Sequence, residues 1–341
     1  MSDAGSDEAA GADVAPAVAW PPPADEAEKA SRVVALRERL TGDCAGDAQV
    51  ARFCTDGTLE RFTRACCYDV DKAEDFMRKA LRWRADKQPW AATCPGCAAS
   101  PRAHSLRCVG TDCEGRPVLY HCFAQADGRH VAAHNTAHLM RILEDCCALM
   151  DSQEPQITQW VWVFDFHGYG LWDNNPSTVV AAAQFLPLHP NRLYKVIMLD
   201  APTAFSAIWG VVSGFLTDIT KAKITFTSLA QLRDVASGWT GDEMATWLEA
   251  EATENRALTA AGARAAGAKR YWEAPPAAGP GEAAAHDPRG TASFVASPHF
   301  FSPTHWGGAA EAAAPPGEGE EPPPQPPARS GSWLWGSAAA T

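Results

Sequence analysis

Several features of common protein classes are missing from this sequence. No apolar run approaches the roughly 18 residues that a membrane-spanning helix needs. The chain does not start with a basic and apolar leader, and its start is acidic, so we expect neither a signal peptide nor a transit peptide. Positive charge is scarce, because 29 Lys and Arg residues stand against 41 Asp and Glu residues, a net charge of -12. This balance argues against general nucleic-acid binding, and we expect a soluble, cytoplasmic protein.

The signatures of familiar enzymes are absent as well. The sequence contains no G-x-S-x-G elbow, no phosphate-binding glycine loop and no H-E-x-x-H motif. His167 follows Asp165 closely, but a solvated histidine at the end of a strand accounts for it. We therefore predict no catalytic residues, no cofactor and no enzymatic activity.

Composition separates a foldable middle from two low-complexity ends. Residues 1–24 and 273–341 consist largely of Ala, Pro, Gly, Asp and Glu, and such segments bury too little apolar surface to offset the entropy of ordering. We expect both to be disordered. Phe300 and Phe301 are among the tail aromatics, for which we consider a peg that docks on a membrane or a partner; the alternative is low-complexity sequence without function. Between the two ends we predict a helical lobe over 25–92, a Cys-rich connecting loop over 93–104, an α/β domain over 105–240 and a C-terminal helix over 241–272.

Hydrophobic periodicity predicts five strands, over 106–109, 117–123, 157–166, 193–199 and 223–227. The third strand is apolar on both faces, so both faces must be covered. Its period of two places four aromatic residues on one face: Trp160, Trp162, Phe164 and Phe166. Residues 175–188 are predicted to form a crossover helix between parallel strands. Residues 204–216 are apolar nearly all round, which is typical of a helix that is buried or faces an apolar ligand.

Short motifs in this region resemble those of the CRAL-TRIO lipid-binding family. The family patterns D-x-x-G, Y-P-E-R-L, N-A-P and T-x-x-K-I are similar, in order, to residues 165–168, 189–193, 200–202 and 220–224. Residues 112–117 match D-x-x-G-R-P, and residues 61–70 resemble the R-F-L-R-A-R-K-F-D-V run of the helical lobe. The resemblance implies an α/β CRAL-TRIO fold, with a mixed sheet of about five strands flanked by helices and preceded by a small all-helical lobe.

The resemblance also implies a function, namely binding one lipid or other hydrophobic molecule in an apolar pocket and transferring it between membranes. We expect a monomer that contacts membranes transiently, takes a phospholipid or an isoprenoid-like molecule, and is peripheral on membranes. Residues 203–216 correspond to the family's gate over the pocket. The predicted pocket residues are Tyr120, Phe123, Trp160, Trp162, Phe164, Phe185, Phe205, Ile208, Trp209, Val212 and Phe215. The alternatives are aromatic side chains that merely pack together, and a lipid sensor that recruits a partner through its tails without transferring lipid.

Family members that carry phosphatidylinositol hold its head group with a polar cluster, which Arg192, Thr220 and Lys223 match by motif. Two positions depart from the pattern, because Asn191 replaces the usual Glu and Cys66 replaces the second Arg of the lobe motif. We therefore expect only weak recognition of an anionic head group. The alternative for Arg192 is a scaffold role at local carbonyls, and the alternative for Lys223 is a solvated side chain.

The 11 cysteines are expected to be mostly reduced thiols. Cys94 and Cys97 form a C-x-x-C pair on a Pro-Gly turn, with His104 nearby, and Cys108 or Cys113 could complete a tetrahedral zinc site. The C-x4-C spacing of the second pair and the predicted strand at Cys108 weigh against zinc. We predict no metal site, and a reduced cysteine-rich loop is the simpler interpretation.

Overall fold

The structure is a computed structural model, which describes residues 22–45, 48–153, 156–173, 177, 186–214, 216–260, 271–272 and 286–301. Five helices form the N-terminal lobe: α1 Glu26–Arg39, α2 Thr41–Cys44, α3 Ala48–Phe53, α4 Asp56–Ala65 and α5 Val70–Lys87. Seven more helices follow in the described chain: α6 Pro95–Ala99, α7 Ala132–Asp151, α8 Ser206–Gly214, α9 Asp218–Lys221, α10 Leu229–Thr240, α11 Asp242–Ala260 and α12 Ala292–Val295.

The lobe helices begin where side-chain oxygens cap them. Asp25, Thr55 and Asp69 each accept a hydrogen bond from the backbone N–H three residues later, at the starts of α1, α4 and α5. A disulfide joins Cys44 to Cys54, and the other nine cysteines are free.

The sheet has five strands in the order β1-β2-β3-β4-β5, which confirms the predicted mixed sheet. The strands are β1 Arg107–Thr111, β2 Pro117–Cys122, β3 Trp160–Asp165, β4 Leu193–Leu199 and β5 Ile224–Thr227. Strands β1 and β2 pair antiparallel, and the remaining neighbours pair parallel. The predicted crossover helix between β3 and β4 falls mostly on residues outside the described ranges; of it, residues 186–188 form a short 3-10 helix.

Each face of the sheet carries its own apolar core. On one face Trp160, Trp162 and Phe166 pack with residues of the helical lobe and α7, including Phe62 and Ile142. On the other face the alternate positions of β3 pack against α10 and α11: Val161 and Val163 with Leu232, Trp239 and Leu248. The sequence patterns did not predict α10.

The segment 286–301 adds a piece of structure within the predicted disordered tail. The backbone N–H of Thr291 donates to the carbonyl of Val109 on β1 at 2.8 Å. Gly290 permits this approach, because a Cβ at that position would stand 2.6 Å from the same carbonyl oxygen. Phe294 is buried and packs edge-on against Phe300 and Phe301. These two phenylalanines therefore belong to the folded domain, in contrast to the exposed peg considered from the sequence.

None of the helices in the described ranges is both long enough and apolar enough to cross a lipid bilayer.

Candidate functional site

A continuous group of aromatic side chains covers one face of the sheet near α8. We call it the aromatic face, and it consists of Trp160, Trp162, Phe164, Phe166, Phe205 and Trp209. Within it the rings of Trp162 and Phe164 stack with centroids 4.9 Å apart. Phe166 contacts Phe205 at 4.6 Å, and Phe205 contacts Trp209 at 6.0 Å. The structure therefore brings β3, the segment before α8, and α8 itself together, as the pattern of the sequence predicted.

Helix α8 is only partly covered by the domain. Ile208 is buried, Trp209 and Val212 are half-buried, and Val211 remains 44% exposed. An apolar helix with this exposure lies at the edge of the domain rather than in its core. Phe123, another predicted pocket residue, contacts Phe166 at a centroid distance of 5.3 Å and joins the aromatic face from the end of β2.

Trp162 carries a polar group that no described residue pairs with. Its side chain is buried, and none of the described residues offers an acceptor to the indole Nε1–H. A buried N–H without an acceptor costs about 1–3 kcal/mol, so a ligand oxygen at this position would be stabilised. The aromatic face therefore has one donor in an otherwise apolar surface, which is the composition typical of small-molecule sites.

Three predicted pocket residues are not placed at this site. Tyr120 lies on the opposite face of the sheet, because β2 alternates with a period of two. There its ring packs edge-on against Trp247 at 5.5 Å, and its hydroxyl donates to Asp165 at 2.8 Å. Its assignment to the pocket was wrong. Phe185 and Phe215 fall outside the described residues.

The three predicted head-group residues each bond to a different protein group. Arg192 is buried and donates to the carbonyl of Thr158 at 3.2 Å. This is the kind of contact expected if Arg192 has a scaffold role. The Thr220 hydroxyl lies 3.0 Å from the Thr217 hydroxyl at the start of α9. Lys223 is half-buried, and its Nζ donates to the carbonyl of Leu193 at 2.6 Å. Burial lowers the pKa of Lys223. These contacts do not bring the three side chains together around a single phosphate position.

A second buried guanidinium lies near Arg192, and the sequence did not single it out. Arg61 on α4 is 4% exposed, and its Nε and Nη1 have no acceptor in the described structure. Burial first, and the neighbouring positive charge of Arg192 second, lower the pKa of Arg61 to about 9. Asn191, which departs from the family pattern, adopts a left-handed backbone (φ 58°) and donates to the Arg61 carbonyl at 3.0 Å. Asn191 thus ties the sheet domain to the helical lobe.

The motif residue Asp165 has a structural role that depends on α11. Its carboxylate is fully buried and forms two bonds, of 2.8 and 3.0 Å, with the guanidinium of Arg256. Arg256 also reaches Asp200 at 2.7 Å. Two acidic motif residues, at the ends of β3 and β4, are therefore held by one arginine. In the sequence, the one hint of this contact was the basic residue Arg256 within the predicted C-terminal helix.

A cavity of about 360 Å³ lies in the helical lobe, lined by Arg37, Thr41, Cys44, Ala45, Ala51, Cys54 and Leu59. It shares no residue with the aromatic face, and it has no aromatic side chain in its lining. We therefore place the candidate site at the aromatic face, on the chemistry of its side chains.

One side-chain cluster has the composition of a metal site. The ligand atoms of Cys94, Cys97 and His104 all lie within 4.8 Å of one another. The two cysteines that the sequence offered as further ligands are bonded elsewhere: Cys108 donates to the Gly110 carbonyl at 3.5 Å and Cys113 to the Trp239 carbonyl at 3.2 Å.

Apolar side chains are exposed on the loop after β3. Leu171 and Trp172 are 75% and 88% exposed. This loop contacts the segment before α8, because the rings of Tyr169 and Phe205 lie 5.9 Å apart. The exposed loop and the partly exposed α8 are thus connected through the aromatic face.

Comparison with known proteins identifies the domain that this geometry defines. Residues 107–236 match the CRAL/TRIO domain. The chain is 27% identical over 194 residues to phosphatidylinositol transfer protein CSR1 of Eremothecium gossypii, an alignment that covers 51% of this chain and 43% of that protein. It is 26% identical over 195 residues to a CRAL-TRIO domain-containing protein of Caenorhabditis elegans, covering 49% of this chain and 26% of that protein.

A solved structure supports the fold. The crystal structure of Sfh5 superposes with a TM-score of 0.50 at 14% identity, covering 62% of this chain and 84% of that chain. The chain spans less than half the length of the curated relatives it matches. Residues 107–236 therefore form a CRAL/TRIO domain, as the motifs indicated.

Proposed function

We propose that this protein binds one lipid at the aromatic face and transfers it between membranes. The observation that carries the proposal is the buried Trp162 N–H, which has no acceptor among the described residues and lies within an apolar surface that also includes Trp209 of α8. An ester or hydroxyl oxygen of a lipid would accept that hydrogen bond while its chains lie on the aromatic rings. One relative is a phosphatidylinositol transfer protein, which supports lipid as the ligand class.

Membrane contact is part of the same proposal. Trp172 and Leu171 are exposed on the loop that touches Phe205, and α8 exposes Val211 beside the same site. Tryptophan favours the interface between lipid and water. Insertion of this loop into a bilayer would cover its apolar side chains and loosen the contact at Phe205, so that lipid leaves or enters beside α8. The protein would then be peripheral on membranes and only transiently bound.

Transfer of a labelled lipid from donor to acceptor liposomes tests the proposal. We expect transfer by the full chain, and a several-fold slower rate for Trp172→Glu, because a carboxylate disfavours entry into the bilayer interface. Val34→Glu is the matched control, since Val34 is 53% exposed on α1 in the helical lobe. Retention of lipid without any transfer would favour the sensor alternative. Absence of both retention and transfer would refute the proposal.

The contribution of Lys223 to head-group selection stays a prediction. We expect Lys223→Ala to weaken loading of anionic phospholipid and to leave loading of neutral lipid intact, because only the first is attracted by the ammonium group. Loading from mixed liposomes, followed by native mass spectrometry, measures both. Lys221→Ala removes a neighbouring cation that pairs with Asp218 at 3.3 Å and should change neither. An equal loss for both lipid classes would assign Lys223 to the scaffold, where it bonds to the Leu193 carbonyl.

A further inference from the structure

The segment that connects the helical lobe to the sheet folds around two cysteines and a histidine. Cys94 precedes α6, and its Sγ lies 3.4 Å from the backbone N–H of Cys97, which donates to it. Gly96 between them permits the close approach of His104, because a Cβ there would stand 3.0 Å from His104 Nε2. His104 is 4% exposed, and its Nε2 has no hydrogen-bond partner among the described residues. A buried ring nitrogen without such a partner, in a group with two thiols, is unexpected for ordinary core packing.

Helix α7 supplies a fourth group. The Nδ1 of His138 lies 3.2 Å from Cys97 Sγ, and its Nε2 lies 2.7 Å from the carbonyl oxygen of Leu106. With the proton on Nε2 donated to that carbonyl, Nδ1 presents a lone pair to the cluster. A backbone carbonyl holding the far nitrogen is the usual arrangement around a metal-binding histidine. The rings of His104 and His138 lie 4.7 Å apart, so both face the same space.

We propose that Cys94, Cys97, His104 and His138 bind one Zn²⁺ ion. Two sulfur and two nitrogen ligands form one of the tetrahedral sets that zinc favours, and Zn–S and Zn–N bonds of about 2.3 and 2.0 Å place neighbouring ligand atoms about 3.5 Å apart. His138 Nδ1 lies 3.2 Å from Cys97 Sγ, and the ligand atoms of the other three residues lie within 4.8 Å of one another, so modest adjustments would bring all four to that spacing. Binding displaces the two thiol protons to solvent. Two thiolates then balance the charge of the ion, so that the buried site is neutral.

The proposal replaces the ligand set that the sequence suggested. Spacing alone offered Cys108 or Cys113 as further ligands, but neither belongs to the described group whose ligand atoms lie within 4.8 Å of one another. The fourth ligand instead comes from a helix 34 residues after His104. Such a site would fasten the connecting segment to α7 and so hold the entry to β1 in place. Its role would be structural, because all four positions are filled by protein.

Metal analysis of the reduced full chain tests the site. We expect one zinc per chain as purified, and Co²⁺ added after chelation to give the visible bands of tetrahedral cobalt with a thiolate-to-cobalt charge-transfer band. This measurement needs no substitution and therefore does not depend on the folding of a variant. Cys97→Ser and His138→Ala should each lower metal affinity at least tenfold, and chelation should lower the Tm of the wild-type protein. Purified protein without zinc that also gives no cobalt spectrum would overturn the proposal.

Two control variants test the choice of ligands. Cys113→Ser removes a thiol bonded to the Trp239 carbonyl, and His134→Ala removes a histidine one turn before His138 on α7. Both should keep one zinc per chain and an unchanged cobalt spectrum. Loss of metal in either, comparable to that in Cys97→Ser, would overturn this ligand set. A disulfide between Cys94 and Cys97 in protein that carries one zinc per chain, detected by mass spectrometry, would equally contradict it, because oxidised sulfur cannot serve as a thiolate ligand.

Discussion

Replacing Trp162 with glutamate is expected to abolish lipid retention. Trp162 is 8% exposed at the centre of the aromatic face, and a carboxylate there would lose its hydration without gaining a partner. Lipid chains would have to cover that charge, so the bound state becomes strongly unfavourable. Native mass spectrometry after incubation with liposomes measures retention, and circular dichroism establishes whether the variant is folded. A folded Trp162→Glu protein that retains lipid like the wild type would place the ligand elsewhere.

Trp162→Phe isolates the hydrogen bond from the apolar surface. The change keeps an aromatic ring but removes the N–H, and a lost hydrogen bond of about 1 kcal/mol lowers affinity roughly fivefold. Trp239→Phe is the matched control, because Trp239 is also buried with an unpartnered N–H but lies on the opposite face of the sheet. We expect no change of lipid affinity for the control. Equal effects of the two substitutions would show that stability, and not a contact with lipid, accounts for the loss.

Replacing Arg107 with alanine is expected to cause the largest loss of stability. Arg107 and Glu251 are 1% and 0% exposed, and their ion pair measures 3.0 Å. The guanidinium also donates to the carbonyl of Pro288, at 2.8 and 3.0 Å from Nη2 and Nε. Removing Arg107 leaves the buried Glu251 carboxylate with only its contacts to Gln125, Asn255 and His286. Removal of one partner from a buried pair costs about 3–5 kcal/mol. The substitution therefore weakens the contacts of β1 with both α11 and the segment 286–301.

Urea denaturation of the full chain measures this loss. Arg233→Ala is the control, because Arg233 pairs with Glu249 on α11 at 2.9 Å while both side chains are nearly half exposed. Exposed pairs contribute about 0–1 kcal/mol. We expect the midpoint of unfolding to fall far more for Arg107→Ala than for Arg233→Ala. Similar midpoints would mean that water reaches the Arg107 pair and that the segment 286–301 does not seal it.

Motif and periodicity predicted the aromatic face well, because strand alternation is a local property. The period of two in β3 fixes which of its residues share a face, whatever covers them. The same rule, applied across strands, requires the register of the neighbouring strand. Tyr120 pairs with Val163 in the sheet, and Val163 lies on the face opposite Trp162. The sequence does not reveal which residues of β2 and β3 pair, and the assignment of Tyr120 to the pocket was wrong for that reason.

The sequence by itself determined the CRAL/TRIO fold, the five strands and the aromatic face, because these depend on short motifs and on periodicity within single elements. Only the tertiary structure decided the long-range polar contacts. Arg107 meets Glu251, Asp165 meets Arg256, and His138 meets Cys97 across many residues of chain. Charges, thiols and imidazoles show no periodicity that reveals their partners. The packing of helices and strands decides which of these groups meet. Because the interior excludes water, each polar contact formed there is stronger than the same contact at the surface.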